Sequence, residues 1–389
     1  MNMSPNDIAD VSGATYTYLL NGIPPRDGWT GLFRPGERVR LRFINGSSMT
    51  FFDVRIPGLA MTVVQSDGND VEPVEVDEFR IGNAETYDVI VQPAANTVYT
   101  IFAQAEDRTG FARGTLTPRL GLAASVPPMD PRPVRTMMDM GMNMSGMKGM
   151  DMSGMKGMNM SDMTGMDMSG MKGMDMSGMK GTQMGGDFGT TPFPQPSRTT
   201  APRGPQSATA PEQMKLEPSN PVTIHPGPQI AAVPKMITSR LNSPGDGLEH
   251  NGRRVLTYAD LRARYRGVDS RPPTREIELH LTGNMERFIW GFNGQKFSSA
   301  EPLELKLGER IRIVLINDTM MEHPIHLHGV WSELENGHGA FNPYKHTIIV
   351  KPAERVSYLV SADTPGKWAY HCHLLYHMHA GIFRTVVVA

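Results

Sequence analysis

Histidine is absent from the first 224 residues, and cysteine occurs once, at position 372. A single thiol excludes an internal disulfide and any zinc site built from several cysteines. No apolar run approaches the ~20 residues that span a bilayer, so no membrane span is expected. Net charge is also scarce, with 38 Lys+Arg against 40 Asp+Glu. Nothing in that balance supplies a basic surface for phosphates, and nucleic acid is not expected as a partner. The opening stretch, residues 1–10, carries acidic residues where a secretory signal needs a basic segment followed by an apolar one. No signal peptide is therefore read here, which leaves a cytosolic chain or one whose true N-terminus is missing.

Short strands separated by turn signals dominate two regions. In residues 14–118, Arg38 to Ile44 alternates polar and apolar side chains, and Thr86 to Val91 and Tyr99 to Ala103 follow in the same style. In residues 275–389, Arg310 to Ile316, His346 to Val350 and Val356 to Val360 repeat the character. This pattern predicts an all-β sandwich or barrel in each region. The regions also agree in register. Asn21-Gly22 precedes Gly36-Glu37-Arg38 by the interval that separates Asn293-Gly294 from Gly308-Glu309-Arg310, and Ile-Asn follows in both, at Asn45 and Asn317. Three matched elements predict a duplicated β-domain. A short helix is expected at Thr257 to Tyr265, with Thr257 as N-cap.

Residues 120–240 differ in kind. Pro, Ser, Thr and Gly are abundant there, which predicts a disordered linker between a first domain, 1–119, and a second, 241–389. At its centre, 142–181, five octads follow Met142-Asn-Met-Ser-Gly-Met-Lys-Gly149, each with three methionines. Thioether sulfur is a soft ligand that selects Cu(I), so Met142, Met144, Met147, Met150, Met152 and Met155 are candidate Cu(I) ligands. Exposed methionine is also oxidisable, and a sacrificial role is the other reading.

Half of the twelve histidines form two clusters, His323-Pro-Ile-His326-Leu-His328 and His371-Cys372-His373-Leu-Leu-Tyr-His377. Strand residues two apart share a face. His326 and His328 therefore project together, as do His371 and His373, while Cys372 and His323 take the opposite side. One set is Cys372 with His323 and His377, the two-imidazole, one-thiolate composition of a blue-copper site. The other is four imidazoles, suited to further copper. A single thiolate among so many histidines disfavours zinc. His338, His346 and His379 read as surface or supporting residues, and His225, His250 and His280 carry no signal.

With these motifs the chain resembles the multicopper oxidases, specifically the bacterial copper-resistance protein A family. The stretches Trp29-Thr-Gly-Leu-Phe-Arg-Pro-Gly-Glu37, Thr282-Gly-Asn-Met-Glu286 and Asn317-Asp-Thr-Met-Met-Glu-His323 support it. The resemblance implies cupredoxin-like Greek-key domains, copper as cofactor and a periplasmic location. It implies His323, Cys372 and His377 as type 1 ligands, His326 as a type 2 ligand, and His328, His371 and His373 as type 3 ligands. Cu(I), or a phenol-like reductant, would give electrons at type 1. Oxygen would be reduced to water at the trinuclear site, with Cys372, His371 and His373 as the connecting residues. The axial position falls on Ile382, where the family usually has Met; an apolar residue there cannot donate to copper.

The family's trinuclear site takes eight histidines, four of them from a first cupredoxin domain, and no counterpart exists before His225. The positions matching His323, His326 and His328 by offset from Asn45 are Phe51, Val54 and Ile56. The first β-domain here thus resembles the family's copper-free middle domain. The remaining ligands would come from a missing N-terminal domain or a separate chain. The alternative is a non-enzymatic periplasmic copper-binding protein.

Overall fold

The computed structural model describes residues 8–94, 96–136, 139–141, 218–220 and 222–389. The six candidate methionines, Met142 to Met155, lie outside them. The first β-domain contains β1 (Trp29–Leu32), β2 (Val39–Ile44), β3 (Phe52–Arg55), β4 (Met61–Ser66), β5 (Asn69–Val76), β6 (Glu78–Ile81), β7 (Thr86–Val91), β8 (Tyr99–Ala105) and β9 (Phe111–Thr117). They make a five-stranded sheet, β1-β9-β8-β3-β6, and a four-stranded sheet, β2-β7-β4-β5.

The C-terminal domain adds β10 (Glu276–Asn284), β11 (Ile289–Phe292), β12 (Leu303–Leu305), β13 (Arg310–Asn317), β14 (His323–Leu327) and β15 (Ser332–Leu334). Then come β16 (Tyr344–Lys345), β17 (Thr347–Val350), β18 (Arg355–Ser361), β19 (Gly366–Cys372), helix α1 (Leu375–Ala380) and β20 (Phe383–Val388). Its sheets run β11-β10-β13-β18-β15-β16 and β12-β20-β19-β14-β17. Each domain is a cupredoxin-like pair of sheets, and the expected strands fall within a residue or two of the observed ones.

The repeat seen in sequence is repeated in hydrogen bonds. Asn45 Nδ2 donates to the carbonyls of Thr50 and Ile81, and Asn317 Nδ2 donates to those of Met321 and Val350. The Asn45 carbonyl accepts from the Ala84 N–H, and the Asn317 carbonyl from that of Ala353. The Glu37 carboxylate caps the Arg34 N–H at 2.8 Å, as Glu309 caps that of Lys306 at 2.9 Å. One framework thus serves both domains with different fillings. Phe51, Val54 and Ile56 are buried apolar residues of the first core, where the C-terminal domain carries imidazoles.

One expectation is corrected. The segment expected as a helix at Thr257 to Tyr265 is a single 3-10 turn, Tyr258–Asp260, closed by the Thr257 N–H donating to Asp260 Oδ2 at 2.8 Å. Beyond it the backbone is extended, because Ala263 bridges to Val71 and its N–H is taken by the Phe341 carbonyl. Residues expected within the linker also make contacts in the structure. Arg135 pairs with Asp246 at 2.5 Å, the Pro128 carbonyl accepts from Arg55, and the Gly141 carbonyl accepts from Lys235 and Met236.

Candidate metal centre

Strand β14 lies between β17 and β19 and carries half of the chemistry. Across the antiparallel ladder Ile325 faces Cys372 and His326 faces His371. Directly paired residues share a face, so the ladder puts Cys372 on one side of the sheet and His326 with His371 on the other. His323 has the parity of Ile325 and joins the Cys372 side. The third member, His377, comes from α1. The backbone N–H of Leu375 donates to the Ser48 carbonyl of the first domain at 3.0 Å, and that of Tyr376 lies 3.3 Å from Met49 Sδ. Both domains therefore set the helix that presents His377.

On the inner side, Cys372 Sγ lies 3.6 Å from His323 Nδ1, which is 3.2 Å from His377 Nδ1. All three residues are fully buried, and among the described residues they are the one group of three or more His/Cys/Asp/Glu whose ligand atoms all lie within 4.8 Å of one another. The far nitrogen of each ring is engaged elsewhere. His323 Nε2 meets Thr319 Oγ1 at 2.7 Å, and His377 Nε2 meets Asp10 Oδ2 at 2.7 Å. Such partners fix the tautomer and leave both Nδ1 lone pairs aimed at the shared point. Trp290 closes the wall, stacked on His377 with ring centroids 3.9 Å apart. Ile382 is buried, its carbonyl accepting from the Cys372 N–H and its own N–H donating to the His377 carbonyl.

Behind the sheet, His328 Nε2 lies 3.1 Å from His371 Nε2. The His326 ring is centred 4.4 Å from His328 and 6.0 Å from His373. His326 Nδ1–H donates to the His346 carbonyl at 2.6 Å and His371 Nδ1–H to the Cys372 carbonyl at 2.9 Å, which puts the lone pair of each ring on Nε2. His328 is exposed, so this face is open on one side. The turn that follows needs a glycine. Gly329 has φ +79°, and a methyl there would lie 2.2 Å from Trp368 Cδ2.

Burial sets the protonation. It pushes His326 and His371 down to about 4 and holds His323, His328, His373 and His377 below the usual histidine range. Burial pushes the Cys372 thiol up. Neutral imidazoles and a protonated thiol await a cation that must displace one proton. The donor set fits copper: two imidazoles and one sulfur, with the outer nitrogens already satisfied.

The structure brings together the side chains that the sequence grouped, and sequence reasoning missed the groups that orient them. Asp10 is 367 residues from His377 and carried no signal. Thr319 had one, since Asn317-x-Thr319 matches Asn45-x-Ser47, whose Oγ likewise bonds the asparagine Oδ1. His280, read as silent, is buried against Asp318 at 2.7 Å and Glu278 at 3.3 Å, a contact that packs the sheet outside the metal set.

Fold and donor set together define a copper-binding cupredoxin. Two family models, both described as multicopper oxidase, match residues 270–389 and 3–119. The chain belongs to the multicopper oxidase family. Over its full length it is 60% identical to Copper resistance protein A of Pseudomonas syringae pv. tomato and 55% identical to Copper resistance protein A of Escherichia coli. It spans 62% of the length of each. Multicopper oxidase MmcO of Mycobacterium tuberculosis is 27% identical over 94% of this chain and 49% of its own. Among solved structures, Fet3p, a multicopper oxidase that functions in iron import, shares the fold with a TM-score of 0.55 and 14% identity. The match covers 93% of this chain and 57% of Fet3p. Among the described residues no helix is long and apolar enough to cross a membrane.

Proposed function

We propose that this chain is the electron-accepting part of a periplasmic copper-resistance oxidase that takes electrons from Cu(I) and passes them toward oxygen. The observation that carries the reading is the convergence of His323 Nδ1, His377 Nδ1 and Cys372 Sγ in a buried pocket, backed across one strand by four further imidazoles. Copper, when bound, supplies one-electron redox chemistry. His323, Cys372 and His377 would hold it as type 1 ligands, with the buried Ile382 as an apolar neighbour of Cys372 and His377. His326 would serve type 2, and His328, His371 and His373 type 3. The peptide His371-Cys372-His373 connects the two sides covalently, so an electron accepted at the thiol side has a bonded path to the imidazole face. Asp10 and Thr319 hold the two type 1 rings, and burial excludes water from them. The methionine octads, soft donors in a glycine-rich sequence, would gather Cu(I) for this site. Copper resistance in the named relatives supports Cu(I) as substrate.

The test is spectroscopic. The full chain loaded with Cu(II) should show an intense blue thiolate-to-copper absorption, and Cys372→Ser should abolish it while copper on the imidazole face persists. A colourless Cu(II) complex of the parent chain would refute the assignment.

A further inference from the structure

Strands β4 and β5 are joined by a two-residue hairpin in which Ser66 pairs with Asn69. Asp67 and Gly68 sit between them at φ +49° and +78°. Positive φ at both central positions matches the twist of the flanking strands, and Asp-Gly adopts it readily. The turn carries Asp67 into the C-terminal domain, where it is 2% exposed. Its Oδ2 lies 2.9 Å from Nζ of the fully buried Lys345. The same oxygen accepts from the backbone N–H of His346 at 3.2 Å and of Thr347 at 3.3 Å. Asp67 Oδ1 is tied back to its own domain by the Thr86 N–H at 3.0 Å.

The Thr347 N–H and the His346 carbonyl belong to one planar trans peptide unit and point in opposite directions. Asp67 holds the N–H side. The carbonyl side accepts from His326 Nδ1–H at 2.6 Å. His326 is also the ladder partner of Thr347, so the ring and the peptide unit are adjacent on β14 and β17. A rigid group therefore spans the distance between a carboxylate of one domain and an imidazole of the other. A neutral imidazole carries one proton, and fixing it on Nδ1 commits the lone pair to Nε2.

We propose that Asp67 is a positioning residue for His326, acting across the domain boundary through the His346–Thr347 peptide unit to fix the tautomer and direction of the ring. The domain whose own equivalent positions are apolar thus orients a ligand of its neighbour. The inference builds on the reading of His326 as a copper ligand. It differs from a merely structural role for the Asp67–Lys345 pair, which would change stability but not the proton position on His326.

The tautomer can be read without metal. In the full chain labelled with ¹⁵N-histidine, long-range ¹H–¹⁵N spectra should show His326 as a single Nδ1–H tautomer. Asp67→Ala should shift its two nitrogen resonances toward an averaged value, and Asp67→Asn, whose carbonyl oxygen still accepts both N–H groups, should restore them. A folded Asp67→Ala chain with unshifted His326 resonances overturns the proposal. If that variant fails to fold, Asp67→Leu removes the carboxylate with more apolar volume in its place and leaves Lys345 paired with Glu85 at 3.1 Å. It should show the same shift, and unshifted resonances there also overturn the proposal. Copper content of His326→Gln tests the ligand reading separately.

Discussion

At the scale of single residues, the pocket is an arrangement of oriented lone pairs, and His377 is the ring whose outer partner is most distant in sequence. His377 Nδ1 faces the shared point only while Nε2–H donates to Asp10 at 2.7 Å. Without Asp10 the ring has no described partner for Nε2 and both tautomers become accessible. Loss of such an outer partner typically weakens metal binding roughly 10–100-fold. Asp10→Ala should therefore lower copper affinity of the blue site by about that factor, measured by competition against a chelator. Thr319 holds His323 equivalently at 2.7 Å, and its change should leave the His377 side intact. Equal affinity in parent and Asp10→Ala would show that the stacking of Trp290 on His377 suffices to orient the ring.

Elements meet through buried charge where β3, β6 and the segment before β14 converge. Arg80 lies 2.8 Å from Asp53, 3.2 Å from Glu322 and 3.9 Å from Glu106, and all four are buried. Burial, with the nearby Glu322 adding to it, pushes Glu106 up from 4.5 to about 8, against the pull of Arg80 and Arg135. The folded chain thus holds a proton that the unfolded chain releases above about pH 4.5. That contribution is fully present below pH 4.5 and is lost as pH rises toward 8. Glu106→Gln keeps the neutral form at every pH, so its unfolding midpoint should match the parent near pH 5 and exceed it near pH 8.5. Parallel midpoint curves in urea would show that Glu106 is ionised throughout. This cluster was illegible in sequence, because Asp53 and Glu322 lie 27 and 242 residues from Arg80 and none of the members follows a strand or helix period. The ligand faces were legible for the opposite reason. Alternation along β14 and β19 depends on local geometry alone, and it suffices to separate Cys372 from His371 and His373. The Asn45 and Asn317 frameworks were legible too, since each sets a turn with its own local residues.

The whole molecule joins these parts to residues 142–184, whose methionine sulfurs are proposed to gather Cu(I). The C-terminal domain and its neighbour are held by Lys345–Asp67, Arg80–Glu322 and Asp10–His377, none of which involves that stretch. Removing 142–184 should leave the unfolding midpoint unchanged and weaken Cu(I) uptake, read by competition with a Cu(I) chelator. Equal uptake in both forms would assign Cu(I) entry to the folded domains. Oxygen chemistry asks more of the molecule. On the proposed reading oxygen reduction takes eight imidazoles, of which this chain would bring four, His326, His328, His371 and His373. Their face is open, with His328 exposed, so copper bound there would keep coordination positions for water. The first β-domain cannot complete the set, because Phe51, Val54 and Ile56 fill the equivalent positions and are buried. The copper-loaded chain should therefore accept electrons from Cu(I), bleaching the blue absorption, while consuming almost no oxygen. Adding a cupredoxin domain with two His-x-His motifs should raise oxygen uptake at least tenfold, a difference of about 1.4 kcal/mol or more in the barrier. Rapid uptake by a monomer of this chain, with size measured on the active species, would show that four imidazoles suffice.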